Sequence, residues 1–229
     1  MSLKIKTLAE TIQPDKPKVL VYSFAGAGKT TLCSTLPGKC LIISAESGLL
    51  SLQGKMEADV LEVSSIDDLR DAYGLLKTGD HKYDWVCLDS FSEIAEVMLA
   101  HEKSQTKDAR QAYGKVIEQG VALARAFRDL KGVGVYFTCK AERQKDEATG
   151  RIQVAISMPG ARLAQSIPYL FDEVFCLITE TDKETGETQR WLQTCSDARA
   201  DCKDRSGRLD AYEPADLGHV VSKIAGGAQ

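Results

Sequence analysis

The chain has 229 residues, 43% hydrophobic and 27% charged, with a formal net charge of −4. That length suits one large α/β core and is short for two domains, and no apolar stretch approaches the ~20 residues of a membrane span. The negative balance excludes wholesale coating of nucleic acid but leaves room for local basic loops. The start, Met-Ser-Leu-Lys-Ile-Lys, has no apolar run after its charges and does not read as a secretory signal. The seven cysteines form no C-x-x-C pair and mostly sit inside apolar runs, as small hydrophobes do. The expectation is a reducing, cytoplasmic compartment, with no disulfides and no zinc.

In chain order, residues 1–17 read as an N-terminal arm, 18–225 as one domain and 226–229 as a flexible tail. Short apolar runs predict strands over Lys18–Tyr22, Lys39–Ser44, Val60–Val63, Trp85–Asp89, Val133–Cys139, Glu173–Thr179 and Arg190–Thr194. Helices are predicted over Lys29–Leu36, over Ile66–Lys77 behind a Ser64-Ser65 cap, and near Arg162–Ile167. Ser90–Leu130 should hold two helices around an irregular middle, and a last helix should start at Pro214, a residue suited to a first helical turn. Strands alternating with helices imply an α/β fold, a mainly parallel sheet with helices on both faces. The polar turn Lys183–Glu187 predicts an antiparallel hairpin added at the sheet edge.

The motif that carries chemistry follows the first strand. Ala25-Gly26-Ala27-Gly28-Lys29-Thr30-Thr31 is a phosphate-binding loop, in which backbone N–H groups surround the phosphates. Lys29 would reach the β- and γ-phosphates of ATP, and the Thr30 hydroxyl would hold Mg²⁺. The usual Gly-x-x-x-x-Gly-Lys-Ser/Thr pattern begins with glycine, but this chain has Ser23 there, which would be strained if the position needs unusual backbone angles. Trp85-Val86-Cys87-Leu88-Asp89 is an apolar strand ending in a carboxylate, and Asp89 is the second candidate Mg²⁺ ligand. No Glu follows it. The candidate base for water is Glu46, which ends the apolar strand Leu41–Ser44 at the sheet edge where ligands bind in such folds. The alternative is that Glu46 only begins the next helix, favourably for its dipole.

Strand-Ala-Glu after the phosphate-loop helix, strand-Asp-Ser, and then a strand ending in a polar switch residue is an order that resembles RecA-type ATPases. More closely, the chain resembles the single-domain RecA-like recombinases of bacteriophages, the fourth Sak class of annealing proteins, also described as phage AAA-family ATPases. The resemblance rests on Ala25–Thr31, Ser44–Glu46, Val86–Ser90, Phe137–Glu142, Met158–Gly160, Phe171–Val174 and Cys202–Arg205. It implies a RecA-like P-loop core with a γ-phosphate switch at Cys139 or Lys140, where Lys140 either contacts phosphate or is a surface lysine. It also implies DNA-binding loops. One is Ala141–Arg162, with Arg143, Lys145, Arg151 and Arg162 against Glu142, Asp146 and Glu147, expected as a long mobile loop or hairpin. The other is His101–Lys115, with Lys103, Lys107, Arg110, Lys115 and the stacking candidate Tyr113. Lys203 and Arg205, alternate residues of an extended segment, would reach a neighbouring protomer's γ-phosphate as a finger, or else belong to a charged surface turn.

The function implied is an ATP-dependent, self-assembling protein that binds single-stranded DNA and anneals or exchanges strands in phage recombination, inside the host cytoplasm. Mg-ATP would lie between protomers of a ring or filament, hydrolysis would release DNA, and a single-strand-binding protein would be a further partner. The rival readings are a P-loop kinase for a small metabolite, a nucleotide-gated DNA-binding scaffold with little turnover, and a helicase of the same fold.

Overall fold

The computed structural model describes residues 16–46, 48–145, 147 and 150–226. Most of the expected N-terminal arm, the tail beyond Gly226, and Asp146 with its neighbours in the Ala-Thr-Gly turn lie outside the described residues.

The strands are β1 (Lys18–Ser23), β2 (Cys40–Ser44), β3 (Ala58–Glu62), β4 (Trp85–Asp89), β5 (Gly134–Lys145), β6 (Ile152–Ser157), β7 (Glu173–Thr181), β8 (Thr188–Gln193), β9 (Lys203–Asp204) and β10 (Tyr212–Pro214). The helices are α1 (Lys29–Leu32), α2 (Ile66–Thr78), α3 (Phe91–Gln105), α4 (Ala109–Arg128), α5 (Ala161–Ser166) and α6 (Leu217–Ile224). One sheet runs β10-β8-β7-β1-β5-β4-β2-β3, with β6 paired to β5 and β9 to β7. From β7 to β3 every pairing is parallel, and the β7–β8 hairpin and β10 add an antiparallel edge. The expected fold class and edge hairpin are both observed.

Strand alternation divides the core in two. Leu20, Val86, Leu88, Val135 and Phe137 face α2, α3, α4 and α5, whereas Val19, Val21, Ile42, Cys87 and Phe175 face α1 and α6. The buried strands have apolar residues on both faces because both are covered. Ser65 caps α2: its hydroxyl accepts from the Asp68 N–H, and the Asp68 carboxylate accepts from the Ser65 N–H. Ser90 and Asp108 cap α3 and α4, so the expected irregular middle is residues 106–108.

Several expectations are corrected. The helix after the phosphate loop is α only to Leu32 and tightens to a 3₁₀ turn over Cys33–Thr35. Pro214 does not begin the last helix. It ends β10, an edge strand that tolerates a residue with no N–H, and Asp216 caps α6 by accepting from the His219 N–H at 3.0 Å. Of the two forms expected for the segment after Cys139, a long mobile loop or a hairpin, it is the hairpin that forms: β5 runs on to Lys145 and pairs antiparallel with β6, from Lys140↔Ser157 to Lys145↔Ile152. Ser23 is not strained. It is the last residue of β1, buried, with its hydroxyl donating to the Leu177 carbonyl at 2.7 Å, and the positive φ angles fall on Gly26 (75°) and Gly28 (107°).

Candidate nucleotide site

The phosphate loop leaves the C-terminal end of β1 and curls over the top of the parallel strands. The left-handed angles at Gly26 and Gly28 make the curl possible without a Cβ clash penalty. Ala27 packs into the core below, and the Tyr136 hydroxyl donates to the Lys29 carbonyl at 2.9 Å, tying α1 to β5. Lys29 Nζ donates to the Ser23 and Phe24 carbonyls at 2.9 and 3.1 Å, so its ammonium lies across the mouth of the loop. Burial lowers the Lys29 pKa, and the charges of Asp89 and Glu46 oppose that shift.

β5 is interposed between β1 and β4, so three strand ends meet at one level. Asp89 ends β4 and accepts two hydroxyl hydrogen bonds, from Thr30 Oγ1 at 2.6 Å and from Thr138 Oγ1 at 2.5 Å. Beyond β4, Glu46 stands two residues past the end of β2, and its Oε1 accepts from Ser90 Oγ at 2.5 Å. Glu46 is therefore at the site rather than at a helix start; the 3₁₀ turn that follows begins only at Leu49.

Of the two switch candidates, Cys139 is fully buried and burial pushes its thiol up to about 12. Lys140 is the one that faces the site. Its N–H donates to Ser92 Oγ at 2.9 Å, and its ammonium pairs with Glu93 and lies 3.6 Å from Glu46 Oε1. The Glu93 hydrogen bond raises the Lys140 pKa.

The site fits Mg²⁺ and a triphosphate. Thr30 and Asp89, the two expected metal ligands, are already in contact, and a loop with two left-handed glycines and a lysine faces them. Mg²⁺ would be held between Thr30 and Asp89, and the phosphates by the backbone of 25–31 and Lys29.

The remaining candidates lie elsewhere. Lys203 and Arg205 flank the start of β7, where Lys203 pairs with Val174 and Arg205 Nη1 bridges Asp172 Oδ1 at 2.7 Å. Lys203 Nζ donates to the Pro168 carbonyl at 2.9 Å. Glu173, next to them, is level with Val19, so the pair sits about four residues, ~13 Å, below the phosphate loop. Within one protomer they do not reach it.

Arg143 does not project into a free loop: its guanidinium lies 4.9 Å over the ring of Phe24, the residue just before the phosphate loop. Lys145 ends β5 and Arg151 precedes β6, so both belong to the hairpin. In the second basic segment, Lys103 stands 5.4 Å over the Tyr113 ring, occupying the face expected to stack on a base, and Lys115 pairs with Glu102 at 3.0 Å. Lys107 and Arg110, at the turn between α3 and α4, and Arg162, in the first turn of α5, are exposed. The two basic segments meet at Gly160, where a Cβ would lie 3.3 Å from Ile117 and 4.0 Å from Tyr113.

Sequence reasoning missed Ser90, Glu93, Thr138 and Arg190. Thr138 carried a usable signal: it is the one aliphatic hydroxyl in the run Val-Tyr-Phe-Thr-Cys, one step past the Leu88↔Phe137 register pair. Arg190 carried none, because its place depends on the β7–β8 hairpin register.

A mostly parallel sheet with a third strand between the phosphate-loop strand and the strand bearing the candidate metal ligand Asp89 defines a P-loop ATPase. The chain matches the family AAA_24, described as an AAA domain, over residues 15–206, and it belongs to that family. Among solved structures it is similar to a KaiC-like protein from the hyperthermophilic archaeon Pyrococcus horikoshii, with a TM-score of 0.41 and 14% identity over 78% of each chain. No curated protein matches it in sequence. Among the described residues, no helix is long and apolar enough to cross a membrane.

Proposed function

We propose that this AAA-family ATPase is a DNA-linked one: a self-assembling protein that binds single-stranded DNA in its ATP state and anneals or exchanges strands, as the phage recombinases it resembles do. One observation carries the reading. A single strand, β5, bears Thr138 on Asp89, Lys140 beside Glu46, Arg143 over Phe24 and then Lys145 at its tip. A change at the phosphates is therefore felt along the strand that presents the basic hairpin.

In hydrolysis, Glu46 accepts the proton of the attacking water, and Ser90 holds its carboxylate in place. Lys29 turns from the loop carbonyls to the γ-phosphate, exchanging two neutral acceptors for an anion. Thr30 and Asp89 would hold Mg²⁺, which supplies charge neutralisation on the phosphates when bound. Lys203 and Arg205, out of reach in cis, would complete the site from the next protomer. The test is ATP turnover with and without single-stranded DNA. The reading expects a several-fold increase with DNA; a rate indifferent to DNA, with phosphate transferred to a metabolite instead of water, would favour a kinase.

A further inference from the structure

The described residues place a second cation on the phosphate loop, from the side opposite the hydrolytic groups. Arg190 lies on β8, paired with Thr179 of β7, and its Nε donates to the Ala27 carbonyl at 2.9 Å. The close approach depends on Gly28: a Cβ there would lie 3.3 Å from Arg190 Nε and 3.5 Å from its Cδ. The backbone that carries Arg190 is held on both sides, by β7 and by the Ala215 N–H, which donates to the Arg190 carbonyl at 3.3 Å.

Arg190 is exposed, and no carboxylate lies within ion-pair distance of it among the described residues. By contrast, Lys140 pairs with Glu93 and Arg205 with Asp172. A guanidinium with one N–H on a loop carbonyl keeps its other donors, and an exposed, unpaired cation set against a phosphate loop suits a phosphate oxygen.

The side from which it arrives says which phosphate. Lys29, Asp89, Glu46 and Lys140 lie toward β5, β4 and β2, where the γ-phosphate is attacked. Arg190 comes from the β7–β8 side of β1. Resting on the nucleotide reading of the site, we infer that Arg190 is a cis-acting nucleotide-positioning residue, binding the phosphates that ATP and ADP share, on the ribose side of the loop. It is a recognition group for diphosphate and triphosphate alike, distinct from a finger that answers to the γ-phosphate.

The experiment compares Arg190→Ala, Arg190→Gln and Arg190→Lys by calorimetric titration with Mg-ADP and with a non-hydrolysable ATP analogue. Gln keeps a donor for the Ala27 carbonyl but loses the charge, whereas Lys keeps the charge. The expected result is a loss of affinity on the order of 10-fold in Ala and Gln, equal for the two nucleotides, with Lys within about 3-fold of wild type. Gln binding as wild type does would reduce Arg190 to a brace for the loop, and a loss confined to the ATP analogue would move it to the γ-phosphate. Either result overturns the inference, as does an unchanged Ala variant. A wild-type protein that binds neither nucleotide would instead overturn the nucleotide reading itself.

Discussion

Asp89 is held at both oxygens before any ligand arrives, by Thr30 and by Thr138. Replacing Thr138 with Val preserves shape and removes one donor from a buried carboxylate, which should cost about 1–3 kcal/mol. The check is a lower urea midpoint with an unchanged m-value. Glu46→Gln should retain nucleotide binding and slow hydrolysis by ~10² or more, the scale of a positioned base; normal turnover in that variant would remove Glu46 from the mechanism. A third residue sets a pH dependence. Burial, followed by the nearby Asp204 charge, pushes the Glu173 carboxyl up to about 8 from an ordinary 4.5. Between those values the folded protein holds a proton that the unfolded chain has lost, so the Glu173 contribution to stability falls as pH rises from 4.5 to about 8 and is level below that window. Glu173→Gln should therefore gain melting temperature over wild type at pH 8 relative to pH 5. An equal difference at both pH values would refute it.

At the scale of elements, legibility followed burial. β1, β2, β4 and the first half of β5 are apolar on both faces, and their ends carried the motifs, so the phosphate loop, Glu46 and Asp89 could be read from the sequence. The second half of β5 and β6 were legible only as a choice between loop and hairpin, because Lys140–Lys145 is a charged run whose strand character comes from a partner. β9 and β10 are two and three residues long, too short for any period to show. The hairpin makes its own prediction. Replacing Arg143, Lys145 and Arg151 together with Ala should weaken single-stranded DNA binding and flatten its salt dependence, since fewer counterions are released. Because Arg143 lies over Phe24, the DNA-bound rate of ATP hydrolysis should fall as well. An unchanged affinity and salt slope would move the DNA site off this hairpin.

At the scale of the molecule, the sheet has its phosphate loop above and Lys203 and Arg205 below, on opposite ends of the strands. On the proposed reading they meet only between protomers. Replacing Lys203 and Arg205 with Ala should abolish hydrolysis while leaving nucleotide binding, and Lys29→Ala should abolish hydrolysis through its own loop. Mixing the two variants should restore part of the activity in a concentration-dependent way. A mixture that co-assembles yet stays inactive would return Lys203 and Arg205 to the status of a charged turn.

Separation of loop and finger along the strands also gives any such assembly a direction. A head-to-tail contact, joining two different surfaces, would build an open stack or a closed ring, whereas a twofold pair would have to set its two protomers antiparallel, side by side, each finger on the other's loop. An open stack then always ends in one protomer whose phosphate loop has no neighbour and another whose finger is unused. Specific activity would climb with the length of the stack and be whole only in a closed ring. A protomer lacking a usable lower end would act as a stopper, silencing the site of the neighbour it joins and blocking further growth on that side.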